Sequence, residues 1–298
     1  MTERTFADPA TGRHVRVLVR LPAIASRAPL LVYSPGLGSG TSAGAPWCEA
    51  WQKAGFTVAA IDHPASGSDV WKLGAGGLTA NLNRALASGQ YALRLADCRH
   101  VIAALASDPE IGPRVDAMRL GIAGHSYGAY TVQSFARDVA TGRDRDHFRL
   151  LGAIALSPTA RSAATARMVA NVRTPFFCVT GSRDNTVTFG AGREAKRLGM
   201  ALATRRAVYE SLPAGAKHLL VLDHADHMTF AGEALAAGRY SRDIAAPAAE
   251  DPRAWSKITA ATTTFWQHYL TGDAPPPRRA LDDAIRVVLD GRDRYASG

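Results

Sequence analysis

Cysteine is scarce in this chain. Only Cys48, Cys98 and Cys178 occur among 298 residues, and no C-x-x-C pair is present. That excludes a disulfide framework. Cys178 lies in an apolar run and reads as a small core residue. Long apolar runs are also missing, and none approaches the roughly 18–20 residues that a membrane-spanning helix needs. The first thirty residues carry no signal-peptide apolar segment, which points to the cytoplasm; a trimmed exported chain would look the same. No internal repeat is visible, and the one proline-rich patch is Pro275-Pro276-Pro277.

Acidic residues are the scarcer charge, 26 against 35 basic ones, which leaves the chain at +9. The surplus is mostly arginine, scattered or in pairs such as Arg205-Arg206 and Arg278-Arg279, never in a block. We expect a solvated basic surface and no nucleic-acid partner. With 47% apolar and 20% charged residues the composition excludes wholesale disorder. A chain this long can bury a large core without disulfides or metals. Residues 1–298 are expected to form one domain.

Short β-type runs alternate with longer helix-type stretches. HVRVLVRLP from His14 alternates apolar and polar, as a strand with one wet face does. PLLVYS from Pro29 and FTVAAIDHP from Phe56 are continuously apolar, as central strands are. MRLGIAGHS from Met118, LLGAIALSP from Leu150, TPFFCVTGS from Thr174 and KHLLVLDHA from Lys217 read as four more strands. Helices are expected over APWCEAWQKAGF, from about Leu78 to Ala106, over YGAYTVQSFARDVA, and from Ala254 to a stop at Gly272. The alternation implies right-handed βαβ units and a mostly parallel sheet with helices on both faces. The stretch between the Leu150 and Thr174 strands is short, so neither a long extra segment among the later strands nor a large cap domain is expected.

Gly124-His125-Ser126-Tyr127-Gly128 matches G-x-S-x-G between an apolar strand and a helical stretch, the setting of a nucleophile elbow. Glycines on either side admit close backbone approach. The serine is held in a strained conformation that lifts its hydroxyl clear of the sheet. A serine hydroxyl needs a base to act as a nucleophile. His227 follows the last core strand and is the first choice. His224 is the second, and His125 is expected to point into the core. A metal reading of His224-x-x-His227 lacks further ligand clusters.

The base must be oriented by an acid. Asp184 lies in the loop after the TPFFCV strand. The chain order Ser126, Asp184, His227 is that of α/β-hydrolases, not of chymotrypsin or subtilisin. Asp223 and Asp226 are rivals, close in sequence to His227. The Gly-rich loop Ser34–Gly40 follows the PLLVY strand. It places the Leu37 N–H to act with the Tyr127 N–H as an oxyanion hole. A dinucleotide reading of this loop fails because Thr41 stands where the last glycine should fall.

Together these features resemble the α/β-hydrolase superfamily, and within it the dienelactone-hydrolase-like group that grades into platelet-activating-factor acetylhydrolases and cutinase-like polyester hydrolases. The resemblance runs from about His14 to Leu270. It rests on YSPGLGSG, VDAMRLGIAGHSYGAY, TPFFCVTGSRDN, ADHMTFAG and ITAATTTFWQHYL. It implies a serine esterase of the α/β-hydrolase fold that uses no cofactor and takes a small-molecule or polymeric ester. Ser126 would be the nucleophile, Asp184 the acid, His227 the base, and Leu37 and Tyr127 the oxyanion donors. The chain has Pro35-Gly36 where many relatives have His-Gly, and Ala129 where a second glycine is frequent. Dienelactone hydrolases proper use cysteine where this chain has Ser126, which argues against their lactone chemistry.

Two alternatives stay open on sequence alone: an amidase or peptidase with the same triad, and a non-catalytic binding protein of this fold. Trp47, Trp51, Trp71, Tyr127 and Phe230 are candidate pocket or core aromatics, with only Tyr127 expected near the chemistry.

Overall fold

The computed structural model describes residues 1–23, 26–72, 77–142, 148–158, 160, 162–189, 196–199, 202–232 and 252–298. In chain order the strands are β1 (Thr2–Asp8), β2 (Arg13–Arg20), β3 (Ala28–Ser34), β4 (Thr57–Asp62), β5 (Val115–His125), β6 (Leu150–Leu156), β7 (Phe176–Arg183), β8 (Thr186–Phe189), β9 (Lys196–Gly199), β10 (Lys217–Asp226) and β11 (Arg294–Ser297). The helices are α1 (Ala45–Lys53), α2 (Gly77–Ala85), α3 (Gly89–Ser107), α4 (Tyr127–Ala140), α5 (Ala163–Ala166), α6 (Leu202–Ser211), α7 (Pro252–Leu270) and α8 (Arg278–Val287).

Among the described residues nine strands form one sheet in the order β1-β2-β4-β3-β5-β6-β7-β10-β11. The six strands from β4 to β10 are parallel, and β1, β2 and β11 extend the edges antiparallel. The strand period of two sorts side chains into two cores. Leu30 and Val32 join Leu95, Cys98 and Ile102 of α3 and Val132 and Phe135 of α4 on one face. Their neighbours Leu31 and Tyr33 join Trp47 and Trp51 of α1 and Phe265 and Trp266 of α7 on the other. Cys178 is a buried core residue, as its apolar setting implied. β4 is buried along its whole length, which explains its unbroken apolar run.

The structure departs from two of the sequence expectations. The helix expected over 78–106 is two helices, broken after Ala85 and restarted at Gly89. Leu82 and Ala85 of α2 pack into a small cluster with Leu37 and Tyr127, whereas α3 packs on the sheet. One straight helix cannot serve both surfaces, and Ser88-Gly89 is the weakest place to break it. The long segment not expected among the later strands is present in part: β8 and β9 form a separate antiparallel hairpin between β7 and α6. Two four-residue strands leave too short a pattern to read. Among the described residues no helix is long and apolar enough to cross a membrane.

From β3 the chain turns to β4 on one side of it, then crosses to β5 on the other. The crevice beyond the carboxyl ends of β3 and β5 is therefore a topological switch point, where open α/β sheets place their ligands.

Candidate active site

β5 ends at His125, and α4 starts at Tyr127, so Ser126 alone makes the turn. Its backbone lies at φ 55°, ψ −111°, a conformation rare for a side chain larger than hydrogen. The Ser126 N–H donates to Leu156 O of β6 at 3.0 Å, and its carbonyl accepts from Tyr130 N–H at 3.1 Å. These bonds fasten the strained residue on both sides. A Cβ at Gly128 would stand 1.7 Å from Ser34 O, so the helix start presses against the end of β3 with no room for a side chain.

His227 follows β10, which has slipped register against β7 between Leu222 and Asp226. Its Nε2 lies 2.9 Å from Ser126 Oγ, and its Nδ1 lies 2.9 Å from Asp184 Oδ1. The structure thus brings together the three side chains that the sequence singled out. Asp184 and His227 are buried, and Ser126 is half-buried. The rivals lie elsewhere. His224 is exposed, with its Nε2 3.2 Å from Asp223. Asp226 accepts from Thr229 N–H at 2.9 Å and caps the turn after His227. His125 is buried as expected, and its Nε2 lies 3.0 Å from His227 O. Burial, and then the neighbouring His227, hold His125 well below the usual imidazole range. The neutral ring donates that bond and fixes the His227 backbone.

Two side chains that the sequence did not reveal complete this cluster. Ser157, at φ 57° beyond β6, has its Oγ 2.8 Å from His227 Nδ1 and donates to Asp184 Oδ1 at 2.9 Å. Arg205 of α6 is 3% exposed, with its Nε 3.0 Å from Asp184 Oδ1 and its Nη2 3.1 Å from His227 Nδ1. A guanidinium can only donate. With the proton on Nδ1 directed at Asp184, Arg205 Nη2 is a charge against the ring edge, and Arg205's own bonds go to carbonyls. They reach Asp184 O at 2.8 Å and Pro158 O at 3.0 Å. Burial alone would raise the Asp184 pKa. The Arg205 charge, the bond and charge of His227 and the Thr180 hydroxyl outweigh it and hold the carboxyl well below its usual range.

In the Ser34–Gly40 loop the Gly38 N–H donates to Ser66 O at 3.0 Å and the Ser39 N–H to Gly36 O at 3.3 Å. Neither bond uses the Leu37 N–H. Leu37 packs with Val70, Tyr127 and Met228, and half-buried Trp71 and Tyr91 rest on this cluster. Trp47, Trp51 and Phe230 are fully buried in the α1–α7 core, so of the five aromatics Tyr127 and Trp71 are those beside the crevice.

Directly beneath the loop lies a second serine–histidine–aspartate array, entirely buried. Ser34 Oγ is 2.9 Å from His63 Nε2, and His63 Nδ1 is 2.8 Å from Asp97 Oδ2. Arg13 grips both Asp97 oxygens at 2.8 Å. Burial, and then the Arg94 charge, push His63 down to about 4, although Asp97 opposes the shift. Burial also takes His218 of β10 down to about 4. An unfolded chain therefore binds more protons than the folded one between pH 6.5 and 4. Stability is full above 6.5 and is lost as pH falls through that window. His63 alone accounts for a loss on the order of 2 kcal/mol by pH 5. Urea midpoints should thus fall between pH 7 and pH 5, less steeply in His63→Gln; equal midpoints at both values would refute this.

No protein-family model and no curated protein matches this sequence. Among solved structures the chain is similar to a dienelactone hydrolase from Anabaena variabilis ATCC 29413, at 14% identity over 90% of this chain and 99% of that one, with a TM-score of 0.58. Sequence identity that low carries the fold and not the activity. With the parallel sheet, its crossover and the helices on both faces, the likeness establishes that this chain has the α/β-hydrolase fold.

Proposed function

We propose that the protein is a serine hydrolase that cleaves carboxylic esters through an acyl-enzyme. The observation that carries this reading is the line from Ser126 Oγ to His227 Nε2 and, across the ring, from His227 Nδ1 to Asp184 Oδ1, both hydrogen-bond gaps 2.9 Å, at the crevice where such folds hold ligands. His227 takes the Ser126 proton as Oγ attacks the ester carbonyl. The tetrahedral oxyanion rests on the N–H groups of Leu37 and Tyr127, one such donor contributing about 3–4 kcal/mol. His227 then protonates the leaving alcohol, and water repeats the sequence on the acyl-enzyme. Asp184 keeps the Nδ1 tautomer and stabilises the imidazolium.

The substrates we propose are short-chain or polymeric esters entering an open cleft. The test is hydrolysis of p-nitrophenyl esters from acetate to palmitate. The expected result is turnover that is highest with short acyl chains. A preference for palmitate would overturn the open cleft, and no turnover of any ester would overturn the esterase reading.

A further inference from the structure

We propose that Arg94 is a positioning residue for the oxyanion hole, a buried guanidinium that clamps the loop carrying the Leu37 N–H to the helix carrying the Tyr127 N–H. The inference rests on the esterase reading above.

Arg94 projects from α3 and is wholly buried. Its fork reaches three segments. Nη2 donates to Pro35 O and, at 3.0 Å, to Ser34 Oγ, both in the loop just before Leu37. Nη1 donates to Ser66 Oγ at 3.0 Å, and Ser66 O in turn accepts from Gly38 N–H, just after Leu37. The peptide of Leu37 is thus held from both sides. Nε donates to Thr131 Oγ1 at 3.0 Å, and Thr131 donates back to Tyr127 O at 3.1 Å. The guanidinium carbon sits 4.5 Å over the Tyr127 ring. One rigid plane therefore spans both halves of the hole, which a flexible ammonium cannot do.

The second serine–histidine–aspartate array explains how so buried a cation is held. Arg94 can only donate, so Ser34 Oγ accepts from it and passes its own hydrogen to His63 Nε2. His63 Nδ1–H then donates to Asp97, which Arg13 grips. Every bond in this chain points one way, from cation to carboxylate. Ser34, His63 and Asp97 are all 0% exposed, so the array anchors the clamp and meets no substrate. Burial lowers the Arg94 pKa to about 10, and the group stays charged at neutral pH. Among the described residues no carboxylate pairs directly with Arg94, and burying an arginine in that way is costly. That cost falls where the guanidinium links the segments carrying the two proposed backbone donors.

An oxyanion hole acts on the transition state more than on bound substrate. The full-length protein is assayed with p-nitrophenyl acetate as wild type, Arg94→Met, Arg94→Lys and Ser66→Ala. Arg94→Met should lose about 100-fold in kcat, with KM changed less than about threefold. Binding of a trifluoromethyl ketone, which forms the tetrahedral oxyanion, should weaken in parallel. Arg94→Lys should recover less than about a tenth of the lost rate, because one ammonium cannot reach all three segments. Ser66→Ala deletes one arm and keeps the guanidinium. It should lose about fivefold in kcat at unchanged KM, and it decides the matter if Arg94→Met does not fold. Wild-type kcat in folded Arg94→Met or in Ser66→Ala, or a loss carried by KM, overturns the positioning role alone. A wild type without ester turnover overturns the esterase reading, and the positioning role falls with it.

Discussion

Ser126→Ala is expected to lower kcat towards p-nitrophenyl acetate by on the order of 10⁴–10⁶ while leaving the melting temperature nearly unchanged. The substitution deletes one oxygen and keeps the Cβ, so the backbone at φ 55° is no more strained than before. Ser126 is half-buried, and its hydroxyl points to His227 Nε2 and not into either core. The fold therefore loses little. On the proposed mechanism the reaction loses its nucleophile, and what would persist is hydrolysis by water beside the two proposed backbone donors. Circular-dichroism melts beside steady-state rates check both halves of the expectation. Turnover within tenfold of wild type would show that Ser126 is not the nucleophile. A collapse of the melting temperature would show that the elbow strain is held by the hydroxyl and not by the bonds to Leu156 and Tyr130.

The parts of this molecule that follow a local rule are legible in the sequence. β3 and β4 are apolar on both faces because helices cover both, and α4 begins and ends where its pattern predicts. The elbow glycines are required by the approach of Gly128 to Ser34 O, so the motif carries its own geometry. Ser126, Asp184 and His227 could be singled out because each sits just past an apolar strand. Arg94 and Arg205 carry no such mark. Each lies in a helix among alanines and leucines, and an arginine there usually reads as a solvated face. Only the packing of α3 under the Ser34–Gly40 loop, and of α6 beside Asp184, shuts them off from water. His63 and Ser157 are likewise defined by neighbours distant in sequence. The terminal pieces β1, α8 and β11 carry no clear mark either. β1 has a half-exposed alternating pattern, and α8 follows directly on a proline run.

Asp184→Asn separates orientation from charge. Among the described residues the Asp184 carboxylate is met by the donors His227 Nδ1 and Ser157 Oγ at 2.9 Å and Thr180 Oγ1 at 2.8 Å, and it is ion-paired with Arg205, whose Nε lies 3.0 Å away. An amide must turn its NH₂ towards one of them. Against His227 it favours the tautomer with the proton on Nε2, which cannot accept the Ser126 proton, and the expected loss in kcat is about 10⁴. The same change leaves Arg205 buried without its carboxylate, which should cost about 3 kcal/mol of stability. The two effects come apart in the double variant Asp184→Asn/Arg205→Met. With the cation gone, the buried amide has no charge to leave unpaired, and the urea midpoint should return most of the way to wild type. The rate should not return, because the imidazole still lacks the acceptor that holds its Nδ1 proton. A double variant that recovered both would place the role of Asp184 in the fold and not in the reaction. One that recovered stability alone would show that Arg205 is buried to hold the carboxylate, and the carboxylate to hold the base.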